Sequence, residues 1–277
     1  MRLNDSIRKD IDIAIQVWKV MLNEYLRDNI DYMFTKGSSA KIWESDIDYV
    51  PILSDVDIHI KLTGNKRKIL PNKNAFKQSS FFTSNYELLF KKLCKEKNHE
   101  SFHLPRIQIV QLDFHGRKEY VIPPREKDIT FIQGSTTFPK EMEHSQIRRI
   151  DKKNLLNEKQ FLSSIPEIYF ELSGLDYYSL LYRISSRISP SPIRLLTQLM
   201  TEENPHDIWT FNKTSIKNHL QEFNLGNIAS FYESFYLTGW KLFESGFADK
   251  NYFRSMIESG YNVLTYCYEE MLKISEN

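Results

Sequence analysis

Between Val56 and Leu62 the side chains alternate strictly, apolar at 56, 58, 60 and 62 and polar at 57, 59 and 61. A repeat of two sends successive side chains to opposite faces, so this segment reads as a strand with one buried face. A single strand buries nothing without partners and a covering layer, and the flanking sequence offers both. Upstream, Ile7, Ile11, Ile15, Trp18, Leu22 and Tyr25 recur at three- and four-residue intervals, which predicts an amphipathic helix from Ser6 to about Arg27, capped by Asp5 or Ser6. Ile30 to Phe34 predicts a short strand that stops at Lys36-Gly37-Ser38-Ser39, where glycine permits a backbone path that bulkier residues resist. Downstream, Ser84 and Glu87 form a capping-box pattern for a helix reaching about Lys97. Further strands are predicted from about Arg106 to Phe114, from Glu119 to Ile122 after a His115-Gly116 turn, and near Ile129 to Gln133.

Beyond about Glu167 the pattern is helical almost throughout: Glu167 to Arg187, Ile193 to Met200, Ser215 to Phe223, Ile228 to Glu244 and Asn251 to Lys273. The order of elements therefore predicts an α+β chain, with a mixed sheet and flanking helices over residues 1–138, a charged linker or helix over 139–164, and an all-α helical bundle over 165–277. Arg148, Arg149, Lys152 and Lys153 in the charged stretch read as a solvated face rather than a polynucleotide contact. The aromatic stripe of Phe231, Tyr232, Phe235, Tyr236, Trp240 and Phe243 reads as core, or as the interface of a homo-oligomer.

With 37 Lys plus Arg against 36 Asp plus Glu, no global charge draws the chain to nucleic acid or to an anionic membrane. No run approaches the ~20 apolar residues of a membrane span, and the charged N-terminus fits no signal or transit peptide, so no membrane partner and a cytoplasmic location are expected. The two cysteines, Cys94 and Cys267, sit far apart in helical patterns and are expected as buried free thiols.

The chemistry concentrates in Lys36-Gly37-Ser38-Ser39-Ala40-Lys41 and Ser54-Asp55-Val56-Asp57. Carboxylates at i and i+2 of a strand share a face and together can bind a hard divalent cation through oxygen, with Mg²⁺ the natural occupant. A second Asp-x-Asp, Asp46-Ile47-Asp48, runs into Tyr49-Val50-Pro51, which sits badly within a sheet, so Asp55 and Asp57 are the expected pair. Lys41 and Lys61 suit either phosphate neutralisation or plain ion pairs with the aspartates. His59 shares the parity of Asp55 and Asp57, although a strand histidine is more often simply packed.

Helix, strand, Gly-Ser turn and a strand opened by Asp-x-Asp together resemble the nucleotidyltransferase superfamily that includes polymerase beta and the minimal nucleotidyltransferases, over roughly residues 5–135. The resemblance implies that Gly37 and Ser38 bind the triphosphate of an NTP such as ATP, to which Lys41 is a candidate further contact on its charge alone, and that Asp55 and Asp57 hold Mg²⁺ in a two-metal site. A third carboxylate on a later strand completes that site in the family. Asp113 is the candidate here for both the metal and the catalytic role, while Gln108 stands where the family often has its acid. The implied reaction moves a nucleoside monophosphate from an NTP to an acceptor hydroxyl of RNA, a small molecule or a protein, with pyrophosphate leaving. The alternative is a catalytically inactive nucleotide-binding or regulatory module of the same fold, motivated by Gln108.

Competing chemistries find no motif. His99 and His103 have the i, i+4 spacing of a zinc protease but lack the glutamate, and Pro105 follows; no nucleophile elbow, Walker loop or dinucleotide-binding glycine motif occurs.

Overall fold

In the computed structural model of the chain, α1 (Arg2–Leu26) and α2 (Ala75–Glu96) pack through Ile13, Ala14, Val17 and Met21 against Phe82, Tyr86, Phe90 and Cys94. The structure describes residues 2–51, 53–64, 68–70, 73–113, 124–138, 140–171 and 173–276. The expected hairpin at His115-Gly116 and Glu119 to Ile122 lies outside them. α2 begins well before Ser84, after Asn74 in a left-handed conformation (φ 72°), so Ser84 and Glu87 lie inside the helix and the expected capping box is corrected. The physical reason is aromatic packing: Phe82 stacks on Trp18 at 5.8 Å and meets Tyr25 edge-on at 5.0 Å, which draws the preceding turns into the helix.

The chain divides into two units, Met1–Lys41 with Ser54–Lys140, and Ile42–Leu53 with Glu141–Asn277. In the first, β1 (Ile30–Lys36), β2 (Val56–Leu62), β3 (Ile107–Gln111) and β4 (Thr130–Gln133) form a mixed sheet ordered β3-β2-β1-β4. β1 runs antiparallel to β2 and β4, and β2 runs parallel to β3. Met33, Ile58 and Ile60 are fully buried on one face, which Ile107 joins to the α1–α2 cluster. The opposite face carries Phe34, Lys36, Asp57, His59 and Gln108, and it is the alternation of β2 that separates the two sets.

The second unit comprises α3 (His144–Leu156), α4 (Lys159–Phe170), α5 (Asp176–Ile188), α6 (Pro190–Leu199), α7 (Pro205–Ile208), α8 (Lys213–Glu222), α9 (Gly226–Glu244) and α10 (Lys250–Glu276). The aromatic stripe of α9 is core: Tyr232 and Phe235 are fully buried. Over 139–164, expected as a charged linker or helix, α3 buries Ile147, Ile150 and Leu155, and Arg148 donates to the carbonyls of Thr197, Met200, Thr201 and Glu203 in and just beyond the last turn of α6. The last carbonyls of a helix have no partner within it, and a cation near them also complements the helix dipole. The single helix expected over Glu167 to Arg187 is two, because Ser173-Gly174 favours a turn and Asp176 accepts from the Ser173 hydroxyl at 3.0 Å.

Segment Ile42–Leu53 folds with the second unit although it interrupts the first in sequence. Gly239 of α9 makes room for it, since a Cβ there would lie 2.9 Å from Leu53 Cδ1. Both cysteines are buried and free, and no described helix is long and apolar enough to cross a membrane.

Candidate functional site

β1 ends at Lys36, the antiparallel partner of Asp57. Gly37 follows at φ +88°, a region that disfavours any residue with a Cβ, and turns the chain back over the head of β2. The approach is close: a Cβ on Gly37 would stand 3.1 Å from Asp57 Oδ2. The turn is closed by Ala40 N–H donating to the Gly37 carbonyl at 3.1 Å, and its Ser39 hydroxyl is buried without a hydrogen-bond partner among the described residues. Ser38 is half-buried in this turn, and Lys41 ends it.

Asp57 is half-buried, and burial together with the neighbouring charge of Asp55 raises its carboxyl to about 6 against partial relief from Lys36 and Arg106. Lys36 is itself pushed below the ordinary lysine range by burial, with Asp57 opposing. Asp55 precedes β2 and accepts from Arg106 Nη2 at 2.7 Å, because the Arg106 carbonyl receives Val56 N–H at 2.9 Å and so sets the head of β3 beside the head of β2. Two carboxylates, two cations and a tight glycine turn thus meet at one end of the sheet.

The expectation for Asp113 is corrected. It lies at the far end of β2, accepting from Lys61 Nζ at 2.5 Å and Leu62 N–H at 3.1 Å. From Asp57 to Leu62 the strand advances roughly 17 Å at about 3.3 Å per residue, beyond metal-bridging reach. Burial works to raise the Asp113 carboxyl, but the bonds from Lys61 and Leu62 outweigh it and hold the group below the ordinary carboxylate range. Lys61 is accordingly an ion-pair residue. The position beside Asp57 on β3 belongs to Gln108, its parallel partner, which is exposed.

His59 is buried and stacks on Phe34 with centroids 4.9 Å apart and planes 3° from parallel. Asp46 and Asp48 belong to the second unit, where Asp48 accepts from Glu44 N–H, Ser45 N–H, Thr214 N–H and the Thr214 hydroxyl at 2.7, 3.0, 2.9 and 2.8 Å. That carboxylate is fully engaged in holding a loop. Lys36 and Arg106 were not singled out from sequence; their approach to the pair follows from strand register, which local spacing does not encode.

As a donor set, Asp55 and Asp57 could supply hard oxygen ligands for one divalent cation, and the missing Cβ at position 37 is what lets the turn approach Asp57 so closely. Among the described residues no group of three or more His, Cys, Asp and Glu converges in a way that could hold a metal ion. Among the described residues, the third carboxylate expected for a second cation does not stand beside the pair. No family model, curated protein or solved structure matches the chain.

Proposed function

We propose that the head of β2 binds the triphosphate of a nucleotide with Mg²⁺ and transfers its nucleoside monophosphate to an acceptor hydroxyl of RNA, a small molecule or a protein, pyrophosphate leaving. The observation that carries this reading is the 3.1 Å approach between the position of a Gly37 Cβ and Asp57 Oδ2. It joins a glycine turn of the kind that receives phosphate oxygens to a carboxylate of the kind that holds their counter-cation. Asp55 and Asp57 are the metal ligands; the backbone of Gly37 and Ser38 and the cations Lys36 and Arg106 are the phosphate-side partners. The metal, when bound, offsets phosphate charge and orients the α-phosphorus for in-line attack. Such transfers depend mostly on positioning and electrostatics, so an acid–base group is an aid and not a precondition. A cytoplasmic setting, where Mg²⁺ and nucleoside triphosphates are plentiful, fits this reading.

A second reading, nucleotide binding without transfer, is favoured by one observation: Gln108 holds the place beside Asp57 and Asp113 is paired elsewhere. An experiment separates the two. The protein is incubated with each α-labelled triphosphate, Mg²⁺ and mixed acceptors, with pyrophosphate release followed in parallel. Transfer that is abolished in the Asp55→Asn, Asp57→Asn double variant supports the enzyme; undiminished transfer in that variant defeats the assignment. Calorimetric binding of Mg²⁺-nucleotide with no pyrophosphate released supports the second reading.

A further inference from the structure

The turn after β1 offers few side-chain atoms for packing. Gly37, Ser38, Ser39 and Ala40 carry small side chains, and Ala40 is exposed. Hydrogen bonds help to set its shape, and of these the Ala40-to-Gly37 bond at 3.1 Å is local to the turn. Two more come from a single side chain in another element. Arg8 of α1 donates from Nη1 to the Ser39 carbonyl at 2.6 Å and from Nη2 to the Lys41 carbonyl. A guanidinium is a planar, rigid fork, so two carbonyls two residues apart that share one fork have their peptide planes fixed relative to each other. In a trans peptide the N–H points away from the C=O. Fixing these carbonyls toward Arg8 thus fixes which way the adjoining N–H groups face.

α1 is itself fixed two residues further on. Asp10, fully buried, accepts from Phe102 N–H and His103 N–H, both at 2.9 Å, and lies 2.8 Å from His99 Nε2 and 3.1 Å from His103 Nδ1. That segment continues into Arg106, the partner of Asp55. One turn of α1 therefore ties down both edges of the candidate site, the glycine turn through Arg8 and the head of β3 through Asp10.

We infer that Arg8 is a positioning residue that orders the phosphate-receiving turn for its ligand; the consequence for binding rests on the function proposed above. Two variants test it, Arg8→Gln and Arg8→Lys, the latter keeping the charge without the fork. Hydrogen exchange in the segment Gly37–Lys41, which needs no nucleotide, is expected to quicken at least about tenfold in Arg8→Gln while β2 is unchanged. The Kd of whichever of ATP, GTP, CTP and UTP binds most tightly with Mg²⁺ is expected to rise about tenfold, with Mg²⁺ alone binding as before and Arg8→Lys recovering less than half of the loss. Unchanged exchange overturns the clamp whatever the binding data. An equal loss of Mg²⁺ affinity overturns the positioning role, because the whole site and not the turn has then loosened. Quickened exchange in a protein whose wild type binds no nucleotide upholds the clamp and removes the proposed function.

Discussion

Gln108 stands beside Asp57 in the parallel pairing of β2 and β3, so both side chains leave the sheet on the same face. An amide is a poor ligand for Mg²⁺ and accepts no proton from an attacking hydroxyl. Gln108→Asp places a third carboxylate next to the pair, and position 108 is exposed enough for its charge to be solvated. If transfer is the function, pyrophosphate release is expected to rise by about 10-fold or more, within the usual reach of an added general base. A variant that binds Mg²⁺ more tightly yet still releases no pyrophosphate would favour the binding-only reading.

Gly37→Ala tests the turn from the other side. At φ +88° a Cβ is strained whatever the surrounding space, and here it also confronts Asp57 Oδ2 at 3.1 Å. The substitution is expected to destabilise the protein by about 1–2 kcal/mol and to weaken Mg²⁺-nucleotide binding more than that loss alone explains. Chemical denaturation and calorimetry measure the two effects separately. Wild-type nucleotide affinity in Gly37→Ala would remove the turn from the site.

The pH dependence follows from Asp57. Its folded-state value, about 6, lies above the ordinary 3.8, so the folded chain holds this proton more tightly than the unfolded chain does. The stabilisation that the proton provides is full below about pH 4 and lost as pH rises to about 6, leaving an ionised group that opposes folding by at most on the order of 3 kcal/mol. In EDTA at pH 8, Asp57→Asn is therefore expected to raise the denaturation midpoint, and at pH 4 to leave it nearly unchanged. Mg²⁺ affinity of the wild type should climb between pH 5 and 7, as the proton ceases to compete, and then level. A variant less stable than wild type at pH 8 contradicts this account of the burial.

What could be read in advance follows from the range of the forces involved. β2 was legible to the residue because its two-residue period, with Val56, Ile58 and Ile60 fully buried, is written in the segment itself. The start of α2 was not, since Phe82 is held by Trp18 and Tyr25 from another helix. The glycine turn and the Asp55–Asp57 pair were visible as residue types at suggestive spacing. Asp113 and Gln108 could not be ranked, because only the hydrogen-bond register of β2 with β3 decides which of them neighbours Asp57. Arg8 gave no signal at all: its carbonyl partners lie 31 and 33 residues away.

The two Asp-x-Asp motifs now make a paired test of structural against functional carboxylates. Asp48 is 2% exposed, accepts four hydrogen bonds, and its own carbonyl takes Lys213 Nζ at 2.6 Å, a lysine that also lies over the Tyr236 ring at 4.9 Å. Removing that carboxylate leaves buried donors without their acceptor, a loss of about 2–4 kcal/mol for charge-assisted bonds in a closed loop. Asp48→Ala is therefore expected to lower the thermal midpoint by several degrees, while at a temperature where it remains folded its Mg²⁺ affinity matches wild type. Asp55→Asn should do the reverse. Its carboxylate has one surface ion pair with Arg106, whose side chain is 50% exposed, and pairs of that kind contribute about 1 kcal/mol or less. Stability should therefore hardly change while metal binding is lost. Should Asp48→Ala abolish Mg²⁺ binding in the folded protein, the cation belongs to the loop carboxylate and not to the head of β2; should Asp55→Asn leave it intact, Asp55 is not a ligand.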